Sequence, residues 1–190
     1  MEPCYGCGGH FPDMDGPTHR YMQSSSGCFA AFNTLLAAEY SSVDLGRINR
    51  LTVDTWAVQH PGDPGDRRAV QSVGLHLARL MLQLACPRPP AETNQVMLHF
   101  SRHKHTLRAL VPPSDFSKTV ADVAPFAGTP QHVSKVHEWA EATWKDWSHE
   151  HAYIDDWIAR HSDHAVQPDQ TASKRSGHTG RVKTLIGDPK

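Results

Sequence analysis

The stretch from Cys4 to Cys28 constrains the fold of this chain more than any other part of the sequence. It holds three of the four cysteines and is rich in Gly, Pro, Ser and Asp. A segment of this composition buries too little apolar surface to fold unaided, whereas a bound metal ion converts its binding free energy into folding free energy. The sequence therefore predicts a metal-organised loop at the N-terminal end of the protein.

The spacing of the cysteines indicates how such a site would be built. Cys4 and Cys7 form a C-x2-C pair followed by two glycines, which permit the tight turn that brings two thiolates to one ion. Cys28 supplies a third thiolate and opens an apolar helical segment, so the positive end of that helix would favour the charged form of the thiol. A redox-active pair and inert thiols are the alternative interpretations of the same cysteines.

The fourth ligand is a histidine, and the sequence offers two candidates. His19 completes a C-x2-C-x11-H-x8-C pattern, and the turn at Gly16–Pro17 just before it favours His19 over His10. Three thiolates and one imidazole in tetrahedral geometry are typical of structural zinc. We therefore predict a closed zinc site with four ligands, which are Cys4, Cys7, His19 and Cys28.

The overall composition limits the partners of the protein. The 190 residues carry a formal net charge of −1, which gives no general attraction to nucleic acid or to anionic membranes. No apolar run is long enough to span a bilayer, and the first residues lack the basic and hydrophobic regions of a signal peptide. These features predict a cytoplasmic protein whose partner is a small molecule or another protein, not nucleic acid or a membrane.

Apolar residues recur at helical spacing along most of the chain. This pattern predicts a mainly α fold, a helical bundle with an N-terminal zinc-stabilised loop. The predicted helices cover residues 28–40, 43–60, 64–85, 92–100 and 130–158, the last of them as one continuous helix. We divide the chain into a zinc-binding loop at 1–27, a helical core domain at 28–161 and a flexible polar tail at 162–190.

Four polar side chains lie on or beside the apolar faces of these helices, namely Asp54, His60, His76 and His151. A buried carboxylate or imidazole costs several kcal/mol unless it is paired or bound to a metal. If the four converge, they form a pocket in which the histidines serve as metal ligands or general bases and Asp54 orients an imidazole. The alternative is that each is a separately hydrogen-bonded residue of the core.

Several motifs resemble those of an uncharacterised bacterial family, a domain of unknown function (DUF). The chain contains CYGCG, GPTHRYM and LTVDTWAVQHPG, and the family carries CxxCG, GPTHxYM and VDxYAxQHPG motifs. The resemblance covers about residues 4–160, with Trp56 at a position where the family has Tyr. It implies the fold of that family and brings no established activity.

No motif in the sequence defines a reaction, since GxSxG, P-loop, GxGxxG and HExxH patterns are all missing. The leading hypothesis is a small zinc-binding helical protein with a structural metal. Any activity, for example that of a metal-assisted hydrolase or transferase, would then belong to the His/Asp pocket. The alternative hypothesis is a non-enzymatic, zinc-organised protein-interaction module.

Overall fold

Helices dominate the computed structural model, which describes residues 1–85 and 89–162. The predicted mainly α fold is confirmed, and a two-stranded hairpin precedes the helices. The α-helices of the described part are α1 (Ser26–Tyr40), α2 (Val43–Gly46), α3 (Asn49–Val58), α4 (Arg67–Ala85), α5 (Pro90–His103), α6 (His132–Asp146) and α7 (His151–Ser162).

The N-terminal loop begins with a short antiparallel hairpin. Strand β1 (Glu2–Pro3) pairs with β2 (His10–Phe11), and the C-x2-C segment forms the turn between them. The loop then runs to Ser25, whose hydroxyl caps the first turn of α1 by accepting a hydrogen bond from the backbone N–H of Cys28. Phe11 is buried in the same apolar cluster as the helices, so the hairpin packs against the core.

The predicted helix at 43–60 is wrong in one respect, because it is divided into α2 and α3. The division follows from the buried carboxylate of Glu39 in α1. Asn49 and Thr52, in the first turn of α3, both donate hydrogen bonds to this carboxylate, and His132 of α6 contacts it at 3.1 Å. A buried carboxylate needs such partners. Helix α3 begins at Asn49, so its first turn places Asn49 and Thr52 beside Glu39.

Helix α4 is the central element of the fold. Its apolar face buries Val73, Leu77 and Leu80, as the 3- and 4-residue spacing predicts. It packs against α3, α5, α6 and α7. Helix α4 therefore contacts most of the other long helices of the fold.

The continuous helix predicted at 130–158 is also divided, into α6 and α7, by a turn of 3₁₀-helix at Ser148–Glu150. The buried Glu150 carboxylate accepts two hydrogen bonds from Arg108 and one from the N–H of Val111. These partners belong to the preceding loop, so the helix is interrupted where Glu150 turns to meet them. The apolar stripe nonetheless continues, since Trp147 and Ile154 are both fully buried.

Among the described residues, no helix is both long enough and apolar enough to cross a membrane. The predicted polar tail lies outside these residues from position 163 onward, and the fourth cysteine, Cys86, lies outside them as well.

Candidate metal centre

Three cysteines and one histidine converge beside the N-terminal hairpin. One ligand atom from each of Cys4, Cys7, Cys28 and His60 lies within 4.8 Å of the other three. The His60 Nε2 atom is 3.5 Å from the Cys4 sulfur and 3.3 Å from the Cys28 sulfur, and the sulfurs of Cys7 and Cys28 are 3.9 Å apart. All four residues are at most 3 % exposed.

These distances match those of a tetrahedral metal site. With zinc–sulfur bonds of about 2.3 Å and zinc–nitrogen bonds of about 2.0 Å, tetrahedral angles place two sulfurs about 3.8 Å apart and a sulfur and a nitrogen about 3.5 Å apart. The separation between Cys7 and Cys28 and the two contacts of His60 lie within about 0.3 Å of these values. The residues therefore fit a four-coordinate metal ion without a large rearrangement.

The turn between β1 and β2 directs two of the thiols to the same point. The N–H of Cys4 donates to the carbonyl of Gly9, and the N–H of Gly8 donates back to the carbonyl of Cys4. Gly8 has a φ of 72°, a left-handed conformation that a side chain disfavours. Gly6, between the two cysteines, leaves room for the end of α3, because a Cβ there would lie 2.6 Å from His60 Cδ2.

The third thiol belongs to the first turn of α1. Cys28 lies three residues after the N-cap Ser25, where the helix presents unpaired N–H groups and the positive end of its dipole. The N–H of Ser25 also points to the Cys4 sulfur, at 3.4 Å. Both features favour the thiolate over the thiol. Because Cys28 belongs to α1 and Cys4 and Cys7 belong to the hairpin turn, the cluster brings the helix and the hairpin together.

The imidazole of His60 is oriented by the helix that precedes it. His60 lies two residues after the last residue of α3, and its Nδ1 is 2.6 Å from the carbonyl oxygen of Trp56, to which an Nδ1–H would donate. The imidazole also stacks on the indole of Trp56 with 4.1 Å between ring centroids. A hydrogen bond from Nδ1 leaves the Nε2 lone pair directed at the thiols, which is the usual arrangement of a metal-binding histidine.

The thiols perturb one another strongly. Hydrogen bonding from Cys28 lowers the pKa of the Cys4 thiol, and the same contact raises the pKa of Cys28 above its usual range. Without a cation, further ionisation would bring negative charges together in a buried site. A divalent metal removes this repulsion and allows all three cysteines to bind as thiolates.

The structure differs from the sequence-based ligand set in its histidine. His19 and His10 are not among the clustered atoms, and His10 is exposed on β2. The ring of His19 lies edge-on to Tyr21 and 6.1 Å from Trp56, and burial lowers its pKa, with His76 and His60 adding to the effect. His60, predicted for the pocket, occupies the place proposed for His19.

Two of the four predicted pocket residues, Asp54 and His76, are in contact. Asp54 is fully buried on α3, and its carboxylate is 2.6 Å from His76 Nδ1 on α4. Gln83 donates a hydrogen bond of 2.7 Å to the other carboxylate oxygen, and Arg79 Nη1 lies 3.5 Å from the first. One carboxylate thus organises a row of three polar side chains along α4.

His151 does not share this arrangement. Its ring stacks on Trp144 with 3.7 Å between centroids, and its Nε2 is 2.8 Å from the Trp144 carbonyl oxygen. This contact joins α6 to α7 across the 3₁₀ turn. The four residues predicted to share a pocket therefore lie in three places. His60 is in the cysteine cluster, Asp54 and His76 pair between α3 and α4, and His151 is at the α6–α7 junction.

Within residues 1–85 and 89–162, no second group of three His, Cys, Asp or Glu side chains converges as the Cys3His cluster does. The sequence signal for His60 was its position at the end of an amphipathic helix, directly before Pro61–Gly62. That position predicts a helix terminus, but only the packing of α3 against the hairpin brings His60 to the thiols.

Comparison with known proteins adds a family but no activity. No curated protein and no solved structure was found to match this chain. The model of a family of unknown function, DUF5946, matches residues 2–148, which include the cluster of three cysteines and His60 and the Asp54–His76 pair. The chain therefore belongs to DUF5946, a family of unknown function.

Proposed function

We propose that this protein is a zinc protein whose metal is structural and holds the N-terminal hairpin, α1 and the end of α3 together. The observation that carries the proposal is the buried convergence of Cys4, Cys7, Cys28 and His60. Four protein ligands complete a tetrahedral shell and leave no position for water or substrate, which is typical of structural zinc. Thiolate-rich ligand sets favour zinc over calcium or magnesium.

The first test is the metal content of the purified protein and of single Cys→Ser variants. We expect one zinc per chain in the wild type and a loss of zinc in Cys7→Ser and Cys28→Ser. Cys86→Ser makes the same chemical change outside the proposed ligand set, and should retain the metal. Full zinc occupancy in both ligand variants would refute the proposal.

A second candidate function is acid–base chemistry at His76. Asp54 holds the Nδ1 side of this imidazole, and His76 lines a cleft of about 470 Å³ together with Tyr21, Ser72 and Ser101. A carboxylate that accepts from Nδ1–H leaves Nε2 as a base, the arrangement found in many general-base histidines. The reaction would be that of a hydrolase or transferase, as in the hypothesis drawn from the sequence, but it would need no second metal ion.

The acid–base proposal is tested with the chromogenic esters p-nitrophenyl phosphate and p-nitrophenyl acetate. We expect turnover by the wild type that is lost in His76→Ala and retained in His151→Ala. If the wild type does not accelerate hydrolysis of either ester, or if His76→Ala is as active as the wild type, the proposal fails. The alternative, a zinc-organised protein-interaction module, would then be favoured.

A further inference from the structure

The cleft beside His76 has an unusual charge for a protein of net charge −1. It lies between α4 and α5 and has a volume of about 470 Å³, within the usual range of small-molecule sites. The described residues that line it include three Arg or Lys side chains and no Asp or Glu. The cations are Arg68, Arg79 and Lys104, and Tyr21 and Ser72 add hydroxyl groups.

Two of these cations form no ion pair with any carboxylate in the part of the chain that the structure describes. Among the described residues, neither Arg68 nor Lys104 has a carboxylate within ion-pair distance. Both side chains are exposed at the rim of the cleft. Only Arg79 approaches an acid, Asp54, which is already bonded to His76 and Gln83. The wall therefore carries a surplus of positive charge that concentrates anions.

Arg79 provides a second, independent observation. Its Nε atom is buried and has no hydrogen-bond partner within residues 1–85 and 89–162, although its Nη1 contacts Asp54. A buried donor without a partner costs about 1–3 kcal/mol, and such a cost is recovered when a ligand accepts the bond. Guanidinium groups bind phosphate oxygens through two parallel N–H donors, and Nε is one of the donors suited to this geometry.

The remaining lining defines the rest of the ligand. The hydroxyl groups of Tyr21 and Ser72 can donate to further oxygens of an anion. Leu75 and Met97 add an apolar wall that inorganic phosphate would not use. Taken together, the lining is suited to a molecule with a phosphate at one end and an apolar or aromatic group at the other.

We infer that the α4–α5 cleft binds a small organic phosphate, with Arg68, Arg79 and Lys104 contacting the phosphate group. The proposed acid–base role of His76 concerns the same cleft, and this inference names its ligand class. Binding does not require that His76 performs chemistry, so a failure of the ester assays leaves the binding test intact.

The test is calorimetric titration of the full, metal-loaded chain at low ionic strength. The probes are phenyl phosphate, inorganic phosphate and benzoate, which separate the contributions of the phosphate and of the ring. We expect phenyl phosphate to bind with a dissociation constant of about 1 mM or below, more tightly than either of the others. Lys104→Gln and Arg68→Gln should each weaken binding about tenfold, because each removes a charge-assisted contact.

Lys145→Gln is the matched control, since Lys145 is exposed on α6 and lies outside the cleft lining. It makes the same change of net charge as Lys104→Gln and should leave the affinity unaltered. Arg79→Lys, which keeps a positive charge beside Asp54 but lacks Nε, should weaken phenyl phosphate more than benzoate. Thermal melts establish that each variant is folded before titration.

Three results would overturn the inference. The first is an absence of saturable binding of phenyl phosphate up to about 10 mM. The second is an equal loss of affinity in Lys104→Gln and Lys145→Gln, which would indicate non-specific attraction. The third is tight binding of a single-stranded RNA oligonucleotide that phenyl phosphate does not displace, which would assign the positive charge to a polymer.

Discussion

Replacement of Asp54 by Asn tests whether the α3–α4 pair is a stabilising element of the fold. The substitution keeps the shape of the side chain but removes a buried charge that His76, Gln83 and Arg79 all contact. Two of these contacts are short, at 2.6 Å and 2.7 Å. An Asn amide would accept at one atom only and would direct an N–H₂ group at a neighbouring donor.

The expected loss of stability in Asp54→Asn follows from the partners that would be left without a carboxylate. Hydrogen bonds to charged groups contribute about 1.5–3 kcal/mol each, and breaking a buried ion pair costs about 3–5 kcal/mol. Part of this is recovered because His76 and Arg79 are partly exposed and can reach water. We therefore expect Asp54→Asn to lower the free energy of unfolding by about 3 kcal/mol, equivalent to about 6–12 °C in Tm for a chain of this size.

Urea unfolding of the metal-loaded protein measures this difference. Asp156→Asn is the matched control, because Asp156 makes an exposed ion pair with Arg160 within α7. Such exposed pairs contribute about 0.3–0.5 kcal/mol. If Asp54→Asn destabilises the protein by less than about 1 kcal/mol, or no more than the control does, Asp54 is not a buried organising charge and the reasoning is refuted.

Two further predictions follow from the hairpin and from the α6–α7 turn. Gly6→Ala should weaken zinc binding, because its Cβ would lie 2.6 Å from His60 Cδ2. In Gly16→Ala the new methyl would make only an ordinary contact, 3.6 Å from Ser26 Cβ, so zinc binding should be unchanged. Competition with a chromogenic chelator measures both affinities, and equal affinities would contradict the packing argument. The second prediction is that the contribution of Glu150 to the free energy of unfolding depends on pH. Burial would raise the pKa of Glu150, but Arg108 and a backbone N–H hold it below its usual range. Its stabilisation is therefore complete above the unfolded pKa of about 4.3 and is lost as pH falls through the lower folded pKa. The free energies of unfolding of wild type and Glu150→Gln, measured in urea, should differ by on the order of 1 kcal/mol at pH 7 and converge as the pH falls below the folded pKa. A constant difference across this range would contradict the assignment.

The helices and the three thiols were predictable because their signals are local. The C-x2-C spacing and the position of Cys28 at the start of an apolar segment lie within a few residues of the features they define. The apolar stripe of α4 is likewise a property of 3- and 4-residue spacing. Each of these predictions required only neighbouring residues, and the structure contains each of them.

The features that sequence reasoning missed depend on distant partners. His60 is 32 residues from Cys28, and its role as a candidate ligand depends on how α3 packs against the hairpin. His19 was preferred to His10 because the Gly16–Pro17 turn precedes it. A local turn signal of this kind says nothing about a histidine at the end of a distant helix. The helix breaks near positions 47 and 148 follow from buried Glu39 and Glu150, whose partners lie as far away as His132 and Arg108.

The central claim is that a zinc ion is held by three thiolates and by His60. X-ray absorption at the zinc edge measures this directly, in the wild type and in His60→Ala and His19→Ala. We expect three sulfurs at about 2.3 Å and one nitrogen at about 2.0 Å in the wild type and in His19→Ala, and loss of the nitrogen or of the metal in His60→Ala. A nitrogen that persists in His60→Ala and disappears in His19→Ala would contradict the account.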